Sequence, residues 1–162
     1  MRKRLLGAPA ALLIVFAACH FYARDDERAI RKRLHDLVSE FNASTTDGLG
    51  TVARAARIGS FFTEDVIVEL GQGTAPIRGR ATVMDMAARL QPRTAAFSVE
   101  LDDVSVAVGP DRRAEVHLTA AFRRRSSVTR EETLDAREFT LEMIQSEGEW
   151  RINRANVVDT LK

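Results

Sequence analysis

The stretch FFTEDVIVELGQG brings Glu64, Asp65 and Glu69 close together, and carboxylates are the groups that general acid and base catalysis draws on when they face a substrate. Two of the three have a plainer reading. Glu64 and Asp65 follow the last aromatic residue of a helical pattern and precede a β-branched run, where a carboxylate commonly accepts backbone N–H bonds in a turn. Glu69 alternates with Val68 and Leu70 and so lies on the opposite side of a strand from them. With Val68 and Leu70 turned inward, Glu69 faces out; in the reversed register it becomes the best acid of the set. His117 is the histidine placed among alternating apolar residues, and a neutral imidazole suits proton transfer near pH 7. Val116, Leu118, Ala120 and Phe122 form the more apolar side of that run, and His117 falls on the other with Thr119, Ala121 and Arg123. Glu138, in DAREFTLEMIQ, completes the set of acid and base candidates with Glu69 and His117. His35 lies off the apolar stripe of its helix, and no Cys/His spacing suits a transition metal, so neither a metal nor a cofactor is expected. GQGTAPIRG has neither the GxGxxG nor the GK[ST] arrangement of a phosphate loop and reads as a turn, with Arg78 and Arg80 at its end able to attract an acidic ligand.

These residues need elements to hold them. From Arg24, RDDERAIRKRLHDLVSEFNAS spaces Ile30, Leu34, Leu37, Val38 and Phe41 by three and four, the pattern of an amphipathic helix. TVARAARIGSFF predicts a second helix with Val52, Ala55, Ala56, Gly59 and Phe62 on one side, DVIVEL a strand, and RATVMDMAARL a third helix carrying Val83, Met84, Ala87 and Leu90. After Pro92 come four alternating runs separated by GPD, SSVTREE and SEGE, which predict an antiparallel meander. The order describes an α+β domain in which helices close one side of a curved sheet.

The first segment has a different character. MRKRLLGAPAALLIVFAAC has a basic start, an apolar run and small residues before Cys19, the layout of a secretory signal. FAAC resembles the lipobox of bacterial lipoproteins, with Phe16 where leucine is usual, which would make Cys19 the lipidated residue. An uncleaved anchor from Leu5 to Tyr22, about 27 Å as a helix against a core of roughly 30 Å, and a simple cleaved signal remain open. The expected division is therefore residues 1–23 as signal or anchor and residues 24–162 as the domain. Attachment through the N-terminus would hold the domain in the cell envelope on the extracytoplasmic side, periplasmic or at the outer surface; cleavage alone would secrete it. Without the three basic residues of the first eighteen, 21 Lys and Arg face 23 Asp and Glu, a formal charge of −2. That balance and the lack of aromatic residues among Arg123, Arg124 and Arg125 argue against nucleic acid as a partner.

The order of elements, with FFTEDVIVEL, IRGRATVMDMAARL and the terminal GEWRI, resembles the nuclear transport factor 2-like superfamily and its SnoaL-like branch. The resemblance implies a cone-shaped α+β barrel of three N-terminal helices on a curved antiparallel sheet, enclosing an apolar pocket, and a homodimer through the outer sheet face. Phe62, Val68, Leu70 and Met84 would line that pocket from the first half of the domain, and Leu118, Phe122, Phe139, Leu141 and Trp150 from the meander. Where steroid isomerases of the superfamily carry a catalytic aspartate and an enolate-binding tyrosine, ungapped alignment puts Leu70 and Leu37. Isomerisation needs both a base and an oxygen-side donor, so this chain is expected to bind an apolar or amphipathic small molecule without that chemistry. The alternatives are an isomerase, cyclase or dehydratase with a different acid and base set, and a protein-interaction domain with a closed core and an exposed apolar sheet face.

Overall fold

The computed structural model describes residues 8–43, 48–71, 73–89, 95–126 and 132–158, with side chains from residue 24 onward except at 95, 96, 125 and 126. Leu90 and Cys19 lie outside what is described of side chains. Helix α1 spans Ala8–Asn42 and begins before the expected start at Arg24, because AALLIVFAA contains no residue that stops a helix. Among the described residues no helix is long and apolar enough to cross a membrane. Ile30, Leu34 and Leu37 are buried at the predicted spacing, with Phe41 packed against the same core.

Helix α2, Gly48–Gly59, turns a different face inward from the one its small residues predict. Arg54, Ala55, Ile58 and Gly59 are buried, whereas Val52 is 66% exposed and Ala56 also faces out. At about 100° per residue, positions 54, 55, 58 and 59 form one ridge that places the large Ile58 in the core, and Arg54 goes in with it. Strand β1 is Phe62–Glu69, so Phe62 belongs to the strand, and Glu64 and Asp65 are exposed residues within it rather than a turn before it. Arg80 donates from Nη2 to Glu64 Oε1 at 2.8 Å. Part of the expected GQGTAPIRG loop forms strand β2, Ile77–Arg78, paired antiparallel to β1. Helix α3 is Arg80–Arg89.

The meander follows as β3 (Ala95–Val108), β4 (Arg113–Ser126), β5 (Glu132–Ser146) and β6 (Glu149–Val157). Glu147 and Gly148, at φ 55° and 81°, make the tight β5–β6 turn that left-handed conformations favour. The sheet order is β2-β1-β6-β5-β4-β3, and β1 runs parallel to β6. The sheet is therefore mixed and unclosed rather than a closed antiparallel barrel, because the chain returns to pair its first long strand with its last and leaves β2 and β3 as edges. The α+β architecture is as the sequence predicts.

Register shifts bend the sheet around the helices, one of them in β1 between Phe62 and Ile67. In β3 the pairing shifts between Asp102 and Ser105, with Asp103 at φ 51°, and the inward residues change from Val99 and Leu101 to Val104 and Val106. In β6 the register opposite β5 shifts between Ile152 and Arg154, and inward positions change from Trp150 and Ile152 to Ala155. Ile30, Val104, Val116, Met143 and Trp150 belong to the packed core and stand apart from the cavity described below.

Candidate functional site

Past Leu34 on α1, the side chains no longer fill the space above the sheet, and a cavity of about 520 Å³ lies between the three helices and the sheet's concave face. Leu118, Ala120 and Phe122 form its floor from alternate positions of β4, flanked by Phe97, Val99 and Leu101 of β3 and by Phe139 and Leu141 of β5. Leu34, Leu37 and Phe41 roof it from α1, and Val83, Met86 and Ala87 close it from α3. Phe97, Phe122 and Phe139 form an aromatic row, with centroids 6.3 and 6.4 Å apart. Phe97 and Met86, also in the lining, are partly exposed to solvent.

Two lining residues have polar side chains. Asn42, at the last turn of α1, accepts from Val99 N at 2.8 Å and donates to Val99 O at 2.9 Å, so its amide is engaged by the edge strand β3. Arg54 is 4% exposed and donates from Nη1 to Ala43 O at 2.9 Å. Among the described residues, no carboxylate, imidazole or hydroxyl side chain lines the cavity, and no His/Cys/Asp/Glu group could hold a metal.

Of the residues expected at the pocket, Phe62, Val68, Leu118, Phe122, Phe139 and Leu141 line the cavity. Leu70, Met84 and Trp150 do not. Leu70 lies half-buried beyond the end of β1, where the strand alternation that would aim it has stopped. Met84 sits between α3 and α2, so close to Gly59 that a Cβ there would lie 2.5 Å from Met84 Cγ. Trp150 is 3% exposed in the filled part of the core, and its Nε1 donates to Asp26 Oδ1 at 3.3 Å.

The acid and base candidates are on other surfaces. Glu69 is exposed and accepts from Arg154 Nη1 at 3.3 Å. His117 faces out between Glu115 Oε1, 2.7 Å from Nε2, and Thr140 Oγ1, 3.2 Å from Nδ1. Glu138 is an exposed residue of β5 opposite Thr119. None of these three reaches the cavity. The outer sheet face carries further ion pairs, Arg123 with Glu100 and Arg154 with Glu142, while Ala121 is 7% exposed. That face presents charged side chains around the buried Ala121.

Sequence reasoning missed Arg54 and Asn42. Arg54 was legible in one respect, since it stands four residues before Ile58 on the same helical ridge. An arginine between Ala53 and Ala55 nevertheless reads as a solvated residue until the helix is packed.

Residues 23–156 match the family described as SnoaL-like domain. No curated protein matches the chain. Among solved structures, a putative scytalone dehydratase from Novosphingobium aromaticivorans superposes with a TM-score of 0.68 at 14% identity, covering 84% of this chain and 85% of that one. An NTF2-like protein with a cystatin-like fold from the same organism gives a TM-score of 0.65 at 15% identity over 99% of this chain and 94% of its own. A protein from Catenulispora acidiphila in complex with S-DNPA gives 0.64 at 8% identity, covering 83% and 94%. At these identities the likeness is one of fold.

Proposed function

Since the chain belongs to the SnoaL-like family, we propose that its cavity binds an apolar or amphipathic small molecule without transforming it. The observation that carries this reading is the composition of the wall. A space of about 520 Å³ lined by aliphatic and aromatic side chains has the size and character of a small-molecule site. A dehydratase, cyclase or isomerase needs a proton carrier within hydrogen-bond reach of the reacting atoms. Among the described residues the cavity has none, and Glu69, His117 and Glu138 lie outside it. An interaction domain with a closed core and an apolar outer face is disfavoured by the open cavity and by the ion pairs on that face.

The test is titration with N-phenyl-1-naphthylamine, an uncharged fluorophore that brightens in apolar surroundings. Wild-type protein should bind about one equivalent. Ala120→Phe, which adds a ring to the cavity floor, should weaken binding by about tenfold or more while the circular dichroism spectrum is kept. No binding by the wild type, or undiminished binding by folded Ala120→Phe, would overturn the reading, and turnover of any cavity ligand would overturn its non-catalytic half.

A further inference from the structure

We propose that Arg54 makes the cavity selective for amphiphiles with a carboxylate head, the guanidinium holding the head while the aromatic row holds the apolar body. This proposal rests on the binding function above and names the class of ligand.

Among the described residues Arg54 is the cationic side chain of a wall that is apolar apart from it and Asn42, and it is 96% removed from solvent. A buried charge is costly unless it is paired and hydrogen-bonded. Among the described residues its partner is a single carbonyl oxygen, Ala43 O at 2.9 Å from Nη1. A guanidinium has five N–H donors in a planar fork, and this described bond engages Nη1. Three more exposed arginines have carboxylate partners: Arg57 reaches Glu40 at 2.8 Å, Arg80 reaches Glu64 at 2.8 Å, and Arg154 has both Glu69 and Glu142 within 4 Å. Arg54, far from water, has a carbonyl oxygen as its described partner and no described counter-charge.

Asn42 does not compete for the same role. The backbone of Val99 takes its amide oxygen and one of its two N–H groups, which fixes the side chain on β3. Among the described residues the charged donor in the wall is therefore one planar, singly charged group. That group matches a carboxylate, which takes two parallel N–H bonds from a guanidinium. A phosphate dianion would leave charge uncompensated here, because no second cation lines the cavity among the described residues. The position of Arg54 is set by the ridge that also buries Ile58, so the fold itself carries the cation inward.

Displacement of bound N-phenyl-1-naphthylamine by decanoate and by decanamide, both below micellar concentration, separates head-group selection from apolar burial. The two competitors share a chain and differ in charge at the head. In wild-type protein decanoate should displace the probe at a concentration about tenfold lower than decanamide. Arg54→Gln should remove that preference, read as the ratio of the two displacing concentrations within the same variant, and Arg54→Lys should keep part of it. Equal displacement by the two competitors in the wild type overturns the proposal and does not depend on any variant folding. A preference undiminished in Arg54→Gln overturns it as well. Failure of the wild type to bind the uncharged probe counts instead against the binding function, so the two ideas fail in different ways.

Discussion

Gly59 shows how one missing methyl group sets the distance between two helices. A Cβ at this position would lie 2.5 Å from Met84 Cγ and 2.7 Å from its Sδ, closer than real contacts allow. Met84 occupies the space above the glycine, which is why it packs between α2 and α3 and leaves Val83, Met86 and Ala87 to the cavity. Gly59→Ala should therefore destabilise the protein by about 1–3 kcal/mol, the usual range for overpacking. In a Met84→Ala background the same change should be neutral, or stabilising by up to about 1 kcal/mol through helix propensity. Chemical denaturation of the four proteins of this cycle checks both statements, and equal effects in the two backgrounds would show that the contact does not set the spacing. Surface pairs such as Arg28 with Asp25 and Lys32 with Asp36 have largely exposed side chains and should add little.

An exposed edge strand invites pairing with another chain, and α1 covers the one formed by β3. The Asn42 amide bonds both backbone groups of Val99, and Arg31 Nη1 donates to Val104 O at 2.8 Å, within the β3 bulge. The helix thus holds the strand at two points, one at the cavity and one beside the filled core. Asn42→Ala should cost about 1–3 kcal/mol, because it leaves a buried donor and acceptor of Val99 unpaired. Amide exchange at Val99 should accelerate more than at core positions such as Val116. If Val99 remains as protected as in the wild type, the clasp does not hold the edge.

For the molecule as a whole, the sheet and helices divide the interior into a filled part around Met143 and Trp150 and an open part around Phe122. The filled part supplies rigidity, and the open part can remain a cavity because the bulged sheet curves away from α1 without closing on itself. How this domain is delivered is a matter for the first residues. We propose attachment to the extracytoplasmic face of a membrane through the N-terminus, on the basic start, apolar run and Cys19 of the sequence. Wild-type protein should fractionate with membranes, and Cys19→Ser should release it or block its processing. Unchanged membrane association without processing would favour an anchor helix over lipidation, and a wholly soluble wild type would reject both.

The periodicity of the chain alone determined the order of three helices and a four-stranded meander, and with it the inward residues of α1 and β4. Such patterns are legible because burial repeats every 3.6 residues in a helix and every two in a strand. Even the β3 bulge left a trace, as the spacing between apolar residues lengthens from two to three between Leu101 and Val104. The parallel pairing of β1 with β6, the unclosed sheet and the burial of Arg54 were decided by the tertiary structure. Each depends on contacts between residues far apart in sequence, and those are not encoded in any local period. Leu70, Met84 and Trp150 were assigned to the pocket as apolar residues, but apolarity determines only that a side chain leaves water. Whether it then meets a cavity, a neighbouring helix or a filled core depends on how the elements pack together.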